Sequence, residues 1–506
     1  MGRLAVGAAL LAVVGCGGDG GVSLRLDLPS DDALGPFDSR VDGLTLTVSA
    51  DGTTVYTATR EFNGLGEAVD FGRLPAGDGL AFELMGRTDA ARVIAYGRSD
   101  APVDVSRDDS HSVDVRVRRP YVYVAGGQDV LAIDTTLEPG LDYEERVSLG
   151  AVTGAVAATP DGAYVVTVAG TDLRMISTAS HGLVAQMAVL SAPAVHLAVS
   201  PNGRWAVVSH TVSNDDMIPR GVSIVDLADL ADGGDGAVRF VATGQLGEVV
   251  VGNDTAWVLQ DPLAGLTCKG VSSVVPIELA SGTAGIAIDL GGPGADIAAS
   301  GDVVYAAMPC DDEVREIRDG VVSETSPLRV AGVSALTVAR GRLWAMGHID
   351  GEFAHLILAS ARLDGSDIKM LEMPTLEERA VATELVGPGQ DGLIRMTADL
   401  ASASDMAVLP DGEHVAILVA AIYVADPIGD AGGGQPIQPR VSMVTFEYQL
   451  VQLSTGLSAQ RLRTACGISW DPGALLDVFA CAQAPGQEHT AVNFVPTRLT
   501  ALFGSR

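Results

Sequence analysis

The chain has 506 residues, of which 64 are acidic and 32 are Lys or Arg, for a formal net charge of -32. This excess of carboxylates leaves no basic surplus to replace counterions on a phosphate backbone, so the composition excludes a nucleic-acid-binding protein. The aromatic content is only 5%, which argues against a groove that stacks sugar rings.

The N-terminal segment has the features of a secretion signal. Arg3 precedes an eleven-residue apolar stretch at 4–14, which has the length of a secretory core and is too short to cross a bilayer. Residues 13–16 read VVGC, and GGDGG follows at 17–21. The VVGC segment resembles the lipobox of bacterial lipoproteins, in which the cysteine thiol receives a diacylglycerol before cleavage.

That resemblance implies a signal peptide at 1–15, a lipid on Cys16 and a flexible tether at 16–21. An ordinary signal peptide with an incidental cysteine is the alternative. Acyl chains hold a protein on a membrane without a spanning helix. We therefore expect a lipid-anchored cell-envelope protein of the outer membrane that faces the periplasm or the cell surface.

Residues 22–118 alternate between apolar and polar side chains, as in VSLRLDL, LTLTVSA and LAFELMG. Alternation with a period of two is typical of strands with one buried face. Turn signals such as ADGT and LPAGDG separate these segments. Six or seven short strands in about a hundred residues predict a β-sandwich, similar to transthyretin-like or immunoglobulin-like modules.

Residues 119–506 contain a repeated pattern. AATPDGAYVVTVAG at 157–170 recurs as AVSPNGRWAVVSH at 198–210 and as AVLPDGEHVAILVA at 407–420. Each copy has an apolar strand, a Pro-Asp/Asn-Gly turn and a second apolar strand. Looser copies, VVVGNDTAWVLQD, IAASGDVVYAAMP and LTVARGRLWAMGH, follow the second one. From 157 to 348 successive copies are spaced by about 40 to 50 residues, the length of a four-stranded propeller blade.

The turn residues support this interpretation. After Ser200, Pro201 presets the backbone angle of its own position, and Gly203 can take the left-handed conformation that closes a hairpin. A lone hairpin cannot bury both of its faces, so we expect the units to pack around an axis. A large β-sandwich or a solenoid is the alternative.

YVYVAGGQDVLAID at 121–134 and GVSIVDL at 221–227, together with the turns, resemble the YVTN-type propeller repeat proteins. The resemblance implies an all-β fold in which a β-propeller follows the sandwich. Counting hairpins predicts seven blades, with the two chain ends sharing the closing blade. Counting second strands gives eight, so an eight-bladed propeller is the alternative.

If Cys16 carries lipid, four cysteines remain, an even number that favours two disulfides in an exported chain. We predict the pairs Cys268–Cys310, between adjacent blades, and Cys466–Cys481, across a hairpin. No Cys-x-x-Cys spacing occurs, so a zinc site is not expected.

Catalytic signatures are missing from the sequence, which contains no G-x-S-x-G, H-E-x-x-H or Walker loop. We therefore name no catalytic residue and expect no cofactor. One acidic loop offers carboxylates suited to calcium, although their spacing departs from known loops and a solvated surface loop is the simpler interpretation. The candidates are Asp226, Asp229, Asp232 and Asp235.

Three functions fit these observations. The first is a lipid-anchored binding platform for protein or glycan, since loops from many blades converge on one rigid surface. The second is a lactonase-like hydrolase or lyase with carboxylates and histidines at the axial channel. The third is a structural component of an outer-membrane assembly.

Overall fold

A computed structural model describes most of the chain. The described residues are 8–11, 22–29, 35–37, 41–50, 53–65, 69–71, 74–89, 92–99, 101–107, 111–136, 144–210, 220–231, 234, 236–244, 247–260, 268–349, 355–373, 379–382, 393–425, 441–455, 458–469, 477–483 and 496–501. Over 379–404, 420–447 and 458–501 we describe only the backbone pairing.

The described residues form forty strands in eight sheets and one five-residue helix. The predicted all-β fold class is therefore confirmed. Among these residues no helix has the length and apolarity needed to span a bilayer.

The first sheet contains the first eight strands of the chain. They are β1 (Ala8–Leu11), β2 (Val22–Asp27), β3 (Gly43–Ala50), β4 (Thr53–Glu61), β5 (Gly77–Arg87), β6 (Val93–Ser99), β7 (Val103–Val105) and β8 (His111–Arg118). Their order is β1-β2-β8-β6-β5-β3-β4, with β7 paired to β5. All pairs are antiparallel except β2 and β8, which run parallel.

Alternate residues of these strands form one apolar core. Leu24, Leu46, Phe82 and Val115 are all fully buried in it. Hydrogen bonding joins the strands into one continuous sheet, so a sandwich of two separate sheets stays a prediction for this region.

Seven further sheets follow, and we number them as blades 1 to 7. Blade 1 contains β9 (Tyr121–Gly126), β10 (Asp129–Asp134), β11 (Glu144–Ser148) and the last strand, β40 (Pro496–Ala501). Blade 2 contains β12 (Thr153–Ala158), β13 (Tyr164–Ala169), β14 (Asp172–Ser177) and β15 (Gly182–Val189). Blade 3 contains β16 (Ala194–Val199), β17 (Trp205–His210), β18 (Gly221–Asp226), helix α1 (Leu227–Ala231) and β19 (Val238–Ala242).

Blade 4 contains β20 (Val249–Val251), β21 (Thr255–Gln260), β22 (Ser273–Glu278), β23 (Thr283–Ala284) and β24 (Ile288–Asp289). Blade 5 contains β25 (Asp296–Ser300), β26 (Val303–Met308), β27 (Glu313–Arg318), β28 (Val321–Val322) and β29 (Leu328–Arg329). Blade 6 contains β30 (Ala335–Ala339), β31 (Arg342–Ile349), β32 (His355–Arg362) and β33 (Lys369–Glu372). Blade 7 contains β34 (Arg379–Ala382), β35 (Leu393–Val408), β36 (His414–Ala425), β37 (Val441–Gln452), β38 (Ser458–Ser469) and β39 (Asp477–Gln483).

The innermost strand is the first of the blade in blades 2 to 6, β35 in blade 7 and β40 in blade 1, and these inner strands form a closed ring. β12 contacts β16, β16 contacts β20, and the contacts continue through β25, β30 and β35 to β40, which returns to β12. The ring closes because β40, from the C-terminal end, pairs with β9 at the start of the domain. The seven-bladed propeller with a shared closing blade is therefore confirmed, and the eight-bladed alternative is wrong.

Adjacent blades bury apolar side chains against each other. Between blades 3 and 4, Val207 and Ile224 pack with Val258 and Ile277, and all four are at most 1% exposed. Similar clusters join other neighbouring blades. Each blade thus depends on its neighbours to bury both faces.

The repeated turns have the predicted geometry. The Gly203 amide donates to the Ser200 carbonyl at 2.8 Å, and Gly203 has φ of 71°. The Asn202 side chain accepts from the Ser200 hydroxyl at 2.7 Å and from the Arg204 amide at 3.0 Å. Residues 159–162 and 409–412 form the same i to i+3 hydrogen bond.

These hairpin turns all lie on one side of the ring, which we call the turn face. Counted outwards from the innermost strand of each blade, it carries the connections between the first and second and between the third and fourth strands. The opposite side, which we call the loop face, carries the connections between second and third strands and those between blades. Each inner strand runs from the loop face to the turn face.

The N-terminal sheet packs on the turn face. Met85, Val93 and Tyr96 join the apolar cluster of blades 1 and 2. The Arg87 guanidinium contacts the Glu413 carboxylate in blade 7 through two hydrogen bonds of 2.9 and 3.2 Å.

Two further guanidiniums reach the turn of blade 2. Arg98 donates to the Pro160 carbonyl at 3.1 Å, and Arg116 donates to the Asp161 carbonyl at 3.0 Å. The Glu83 carboxylate of β5 also lies 3.9 Å from the Arg340 guanidinium in blade 6. The N-terminal sheet therefore contacts blades 6, 7, 1 and 2, which are adjacent in the ring.

We expect Gly203→Ala to lower the free energy of unfolding by about 1–2 kcal/mol, because an L-residue is strained at this positive φ. A Cβ added there would meet only the Pro160 ring at 3.6 Å, so the loss would come from the backbone. Chemical denaturation measures the effect. Gly43→Ala is the matched control, since Gly43 lies in an extended strand with its nearest contact at 3.5 Å; equal losses in the two variants would contradict this account.

Candidate functional site

The ring of inner strands surrounds an axial cavity of about 260 Å³. Its described walls come from blades 2 to 7, four successive residues from most inner strands. The lining residues are 155–158, 197–199, 248–251, 296–299, 336–339 and 405–408.

Four ionisable residues occupy equivalent positions at the loop-face end of these strands. Each immediately precedes a buried apolar residue of its inner strand. They are His196, Glu248, Asp296 and Asp405, in blades 3, 4, 5 and 7. The cavity therefore has an acidic mouth at the loop face.

The side chains of the first two of these residues contact each other between neighbouring blades. The His196 Nδ1 lies 2.8 Å from the Glu248 Oε2, and both side chains are less than a fifth exposed. The imidazole therefore fixes the position of one carboxylate at the mouth.

The two aspartates accept hydrogen bonds from the backbone. The Asp296 Oδ2 accepts from the Leu336 amide of blade 6 at 2.6 Å, and its Oδ1 accepts from the Ile297 amide at 2.8 Å. The Asp405 Oδ1 accepts from the Met406 amide at 2.8 Å. Each carboxylate is thus oriented by its own strand or by the next one, which helps to space the inner strands evenly.

The rest of the described wall is apolar apart from Thr337. Towards the turn face it is formed by small and β-branched side chains, among them Ala158, Val199, Ala299 and Val338. None of the described residues that line the cavity is basic. The charge is therefore concentrated at one end of the cavity.

The predicted Cys268–Cys310 pair lies at the loop face, in the connections between second and third strands of blades 4 and 5. The two α-carbons are 5.7 Å apart, within the range that a disulfide requires, and the sulfurs are in bonding geometry. The structure therefore supports this pairing, which ties two adjacent blades together.

Two other predictions concern cysteines, the Cys466–Cys481 disulfide and the lipid on Cys16. Cys466 and Cys481 are direct register partners in β38 and β39, so their backbones are adjacent, and the disulfide stays a prediction. Cys16 lies outside the described residues, and its lipidation stays a prediction as well. Ala8–Leu11, within the predicted signal peptide, pair with β2.

Two of the calcium candidates, Asp226 and Asp229, lie at the turn face, at the start of helix α1. The Asp226 Oδ1 accepts from the Ala228 and Asp229 amides at 3.1 and 3.3 Å, as an N-cap residue does. Its Oδ2 lies 3.4 Å from the Arg204 guanidinium. Asp232 and Asp235 lie outside the described residues, so calcium binding stays a prediction.

Sequence reasoning missed a buried histidine beside the mouth. His210, at the loop-face end of β17, is 1% exposed. Its Nδ1 donates to the Ala192 carbonyl at 2.9 Å, and its Nε2 accepts from the Ser223 hydroxyl at 2.8 Å. Burial lowers the pKa of His210 below its usual value, so this residue links blades 2 and 3 in its neutral form.

No protein-family model and no curated protein matches the chain. Solved structures similar to it include the hydrazine synthase of Kuenenia stuttgartiensis, with 14% identity over 53% of this chain and 76% of that one, and a TM-score of 0.38. The WD40 repeats of RRP9 have 11% identity over 67% and 82% of the two chains, with a TM-score of 0.34. A chain of the nidogen/laminin complex has 9% identity over 51% and 93%, with a TM-score of 0.34. The assignment of the propeller itself rests on the strand pairing.

We expect the stability of the protein to fall as the pH drops below about 6.5, because the unfolded chain then protonates His210 before the folded chain does. His210→Asn keeps a donor near the Ala192 carbonyl and removes this titration. The variant should lose less stability between pH 7.5 and 5.5, by at most about 1.4 kcal/mol per pH unit. Urea denaturation across this range measures the difference, and parallel stability profiles for the two proteins would refute it.

Proposed function

We propose that this chain is a lipid-anchored envelope protein of the YVTN-type propeller class, and that its loop face binds a protein or glycan partner. The observation that carries the proposal is the difference between the two faces. The turn face packs against the chain's own N-terminal sheet, whereas the loop face carries the longest connections and the mouth of the axial cavity.

The lengths of the connections support this choice of face. The turns at 159–163 and 200–204 are five residues long, whereas the loop-face connections 211–220, 261–272 and 426–440 have ten, twelve and fifteen residues. Variable loops on a rigid scaffold are where binding residues concentrate. The longest of these connections, 426–440, therefore belongs to the loop face.

Exposed apolar side chains also occur at the loop face. Val152, between blades 1 and 2, is 68% exposed, and Val271, beside the Cys268–Cys310 pair, is 52% exposed. The exposed Lys269 lies near Val271. Apolar side chains next to a charge are typical of the core and rim of a protein interface.

The arrangement of the carboxylates favours binding over hydrolysis. A lactonase-like site requires His, Asp or Glu side chains that converge on one point. Asp296 and Asp405 instead accept hydrogen bonds from backbone amides. Within the described ranges, no three His, Cys, Asp or Glu side chains are grouped so that they could share a metal ion. The binding platform is therefore the function that this geometry supports best.

We expect Cys16→Ala to abolish incorporation of labelled palmitate and to release the protein from the membrane fraction, because acyl chains would be its anchor. Metabolic labelling and fractionation of the bacterial envelope measure both effects. Cys268→Ala is the matched control and should retain the label. Label retained by the Cys16→Ala variant would disprove the lipid assignment.

We expect the lipid-free chain to capture a partner from an envelope extract and to lose it when the loop face is altered. Val152→Asp and Val271→Asp each place a charge at the proposed interface and should weaken capture about tenfold or more, the effect of a substantial interface residue.

Val55→Asp is the control for this experiment, because Val55 is 48% exposed on β4 of the N-terminal sheet. Quantitative affinity purification compares the three variants. Equal loss in all three would contradict binding at the loop face, and turnover of a small lactone without any captured partner would favour the hydrolase. A partner that resists dissociation and solubilises with the protein would indicate an assembly component.

A further inference from the structure

One edge of the N-terminal sheet is covered by a strand that the proposed maturation removes. β2 pairs with β8 on one side and with β1, residues 8–11, on the other. Among the described strands only β1 covers this outer edge of β2. β1 lies within the predicted signal peptide at 1–15, so cleavage before Cys16 takes it away from the sheet.

The uncovered edge would border an apolar core. Alternate residues of a strand point their backbone N–H and C=O groups to opposite sides, so half of these groups in β2 face away from β8. Leu24 and Leu26 of the same strand are fully buried in the core of the sheet. Backbone groups beside a core require hydrogen-bond partners, and an open edge supplies them by pairing with a further strand. The edge is therefore suited to accept a strand in place of β1.

The charged side chains of β2 do not protect this edge. The Arg25 Nε lies 3.4 Å from the Asp114 Oδ1, and the Arg116 Nε lies 3.5 Å from the Asp27 Oδ2. Both ion pairs join β2 to β8, on the side away from the edge. An incoming strand therefore meets charges that already have a partner of opposite sign.

The opposite edge of the sheet is built differently. The pairing of β4 with β3 is interrupted by a register shift between Val48 and Ser49, and β4 ends in the exposed residues Arg60 and Glu61. Bulges and edge charges both discourage the addition of a strand. The pairing of β2 with β1 and with β8 has no register shift. Of the two edges, that of β2 is therefore the better acceptor.

β1 indicates which kind of segment fits this edge. It runs antiparallel to β2, with Leu11 opposite Leu24 and Ala9 opposite Leu26, and its sequence AALL is entirely apolar. Directly opposite positions of two strands share one face of a sheet. The positions opposite Leu24 and Leu26 therefore lie on the side of the core and require apolar residues.

We propose that the mature protein binds an extended segment of a partner protein at the outer edge of β2. The segment runs antiparallel to β2 and carries apolar side chains opposite Leu24 and Leu26. This inference rests on the proposed processing before Cys16. It adds a partner site on the N-terminal sheet, which packs on the turn face, and this site is separate from the loop face.

A second copy of the chain is the other source of a strand. Each copy has a formal net charge of -32, and a large charge of one sign opposes association of identical chains. The charge therefore favours a partner of different composition over a dimer.

Fluorescence anisotropy with a labelled peptide tests this inference. The peptide carries residues 6–13, VGAALLAV, between two lysines at each end. Two chains are compared, 16–506 and 1–506, both with Cys16→Ser to omit the lipid. The peptide should bind 16–506 about tenfold or more tightly than 1–506 (~1.4 kcal/mol), because β1 occupies the edge in the longer chain. Thermal unfolding shows that both chains are folded, and the peptide should raise the midpoint of 16–506 only.

Methylated peptides distinguish strand pairing from general apolar adsorption. Since alternate amides of a strand face its neighbour, one peptide is N-methylated at residues 8 and 10 and another at residues 9 and 11. One of the two should lose measurable binding. The other should retain the affinity of the parent peptide within about twofold, because its methyl groups point away from β2.

Disulfide trapping locates the site and its direction. Leu10 is the register partner of Arg25, an exposed residue of β2. A peptide with Leu10→Cys should therefore form a disulfide with the Arg25→Cys variant of 16–506. Thr57→Cys is the matched control, because Thr57 is exposed on β4 at the opposite edge, and it should not be trapped.

Three results would overturn the inference. They are equal affinity of the peptide for the two chains, equal effects of the two methylated peptides, and equal trapping by Arg25→Cys and Thr57→Cys. A 16–506 chain that is dimeric by light scattering and binds no peptide would assign the edge to a second copy and would also overturn it.

The failure of the premise has a separate readout. The mass of the protein isolated from the bacterial envelope shows whether residues 1–15 have been removed, and their retention would refute the proposed processing. A processed chain that binds no peptide but still captures a partner through its loop face would refute the strand-acceptor site alone.

Discussion

The pairing of β40 with β9 is the interaction on which the propeller depends. Without it, blade 1 has no inner strand, and the contacts of β40 with β12 and β35 are lost as well. Since each blade buries its faces only against its neighbours, an open ring would expose apolar side chains at both of its ends. The axial cavity exists only while the ring is closed, because its walls are the inner strands.

The asymmetry between the two faces has a physical origin in the repeat itself. Each Pro-Asp/Asn-Gly turn is short because its side chain and backbone hydrogen bonds are satisfied within four or five residues, as at Ser200 and Asn202. Such compact turns form an even surface on which another domain can pack, and the arginines of the N-terminal sheet bind the exposed carbonyls there. The loop-face connections have no such constraint, and their lengths vary from blade to blade.

Much of this architecture could be predicted from local pattern. The turns at 159–162 and 200–203 have a strong signature, and their spacing gave the period of a blade and, by counting, seven of them. The Cys268–Cys310 proximity followed from the same register, because both residues come shortly after the second strand of a unit. The N-terminal strands were recognisable by alternation, but alternation does not specify which strands pair, so their assembly into one sheet could not be derived.

The residues at the cavity mouth could not be found in this way. Each acid at the mouth is isolated in the sequence and belongs to no local motif. Asp296 follows Glu248 by about 50 residues and precedes Asp405 by about 110. Each of them lies one position before a buried apolar residue of an inner strand. This shared position can be recognised only when the repeats are aligned by their strand register. His210 carries no local signal either, because its hydrogen-bond partners are Ala192, in the connection before β16, and Ser223, in β18.

The Cys268–Cys310 link has a mechanical consequence that follows from the number of blades. In a wheel of seven sectors, the boundary between the fourth and the fifth lies diametrically across from the first, where β40 and β9 meet through non-covalent contacts. A force that spreads the wheel would therefore part the non-covalent seam first. At the far side, a Cys268–Cys310 disulfide would add a second covalent link to the polypeptide that already joins blades 4 and 5, so these two blades would keep their relative position while the seam opens.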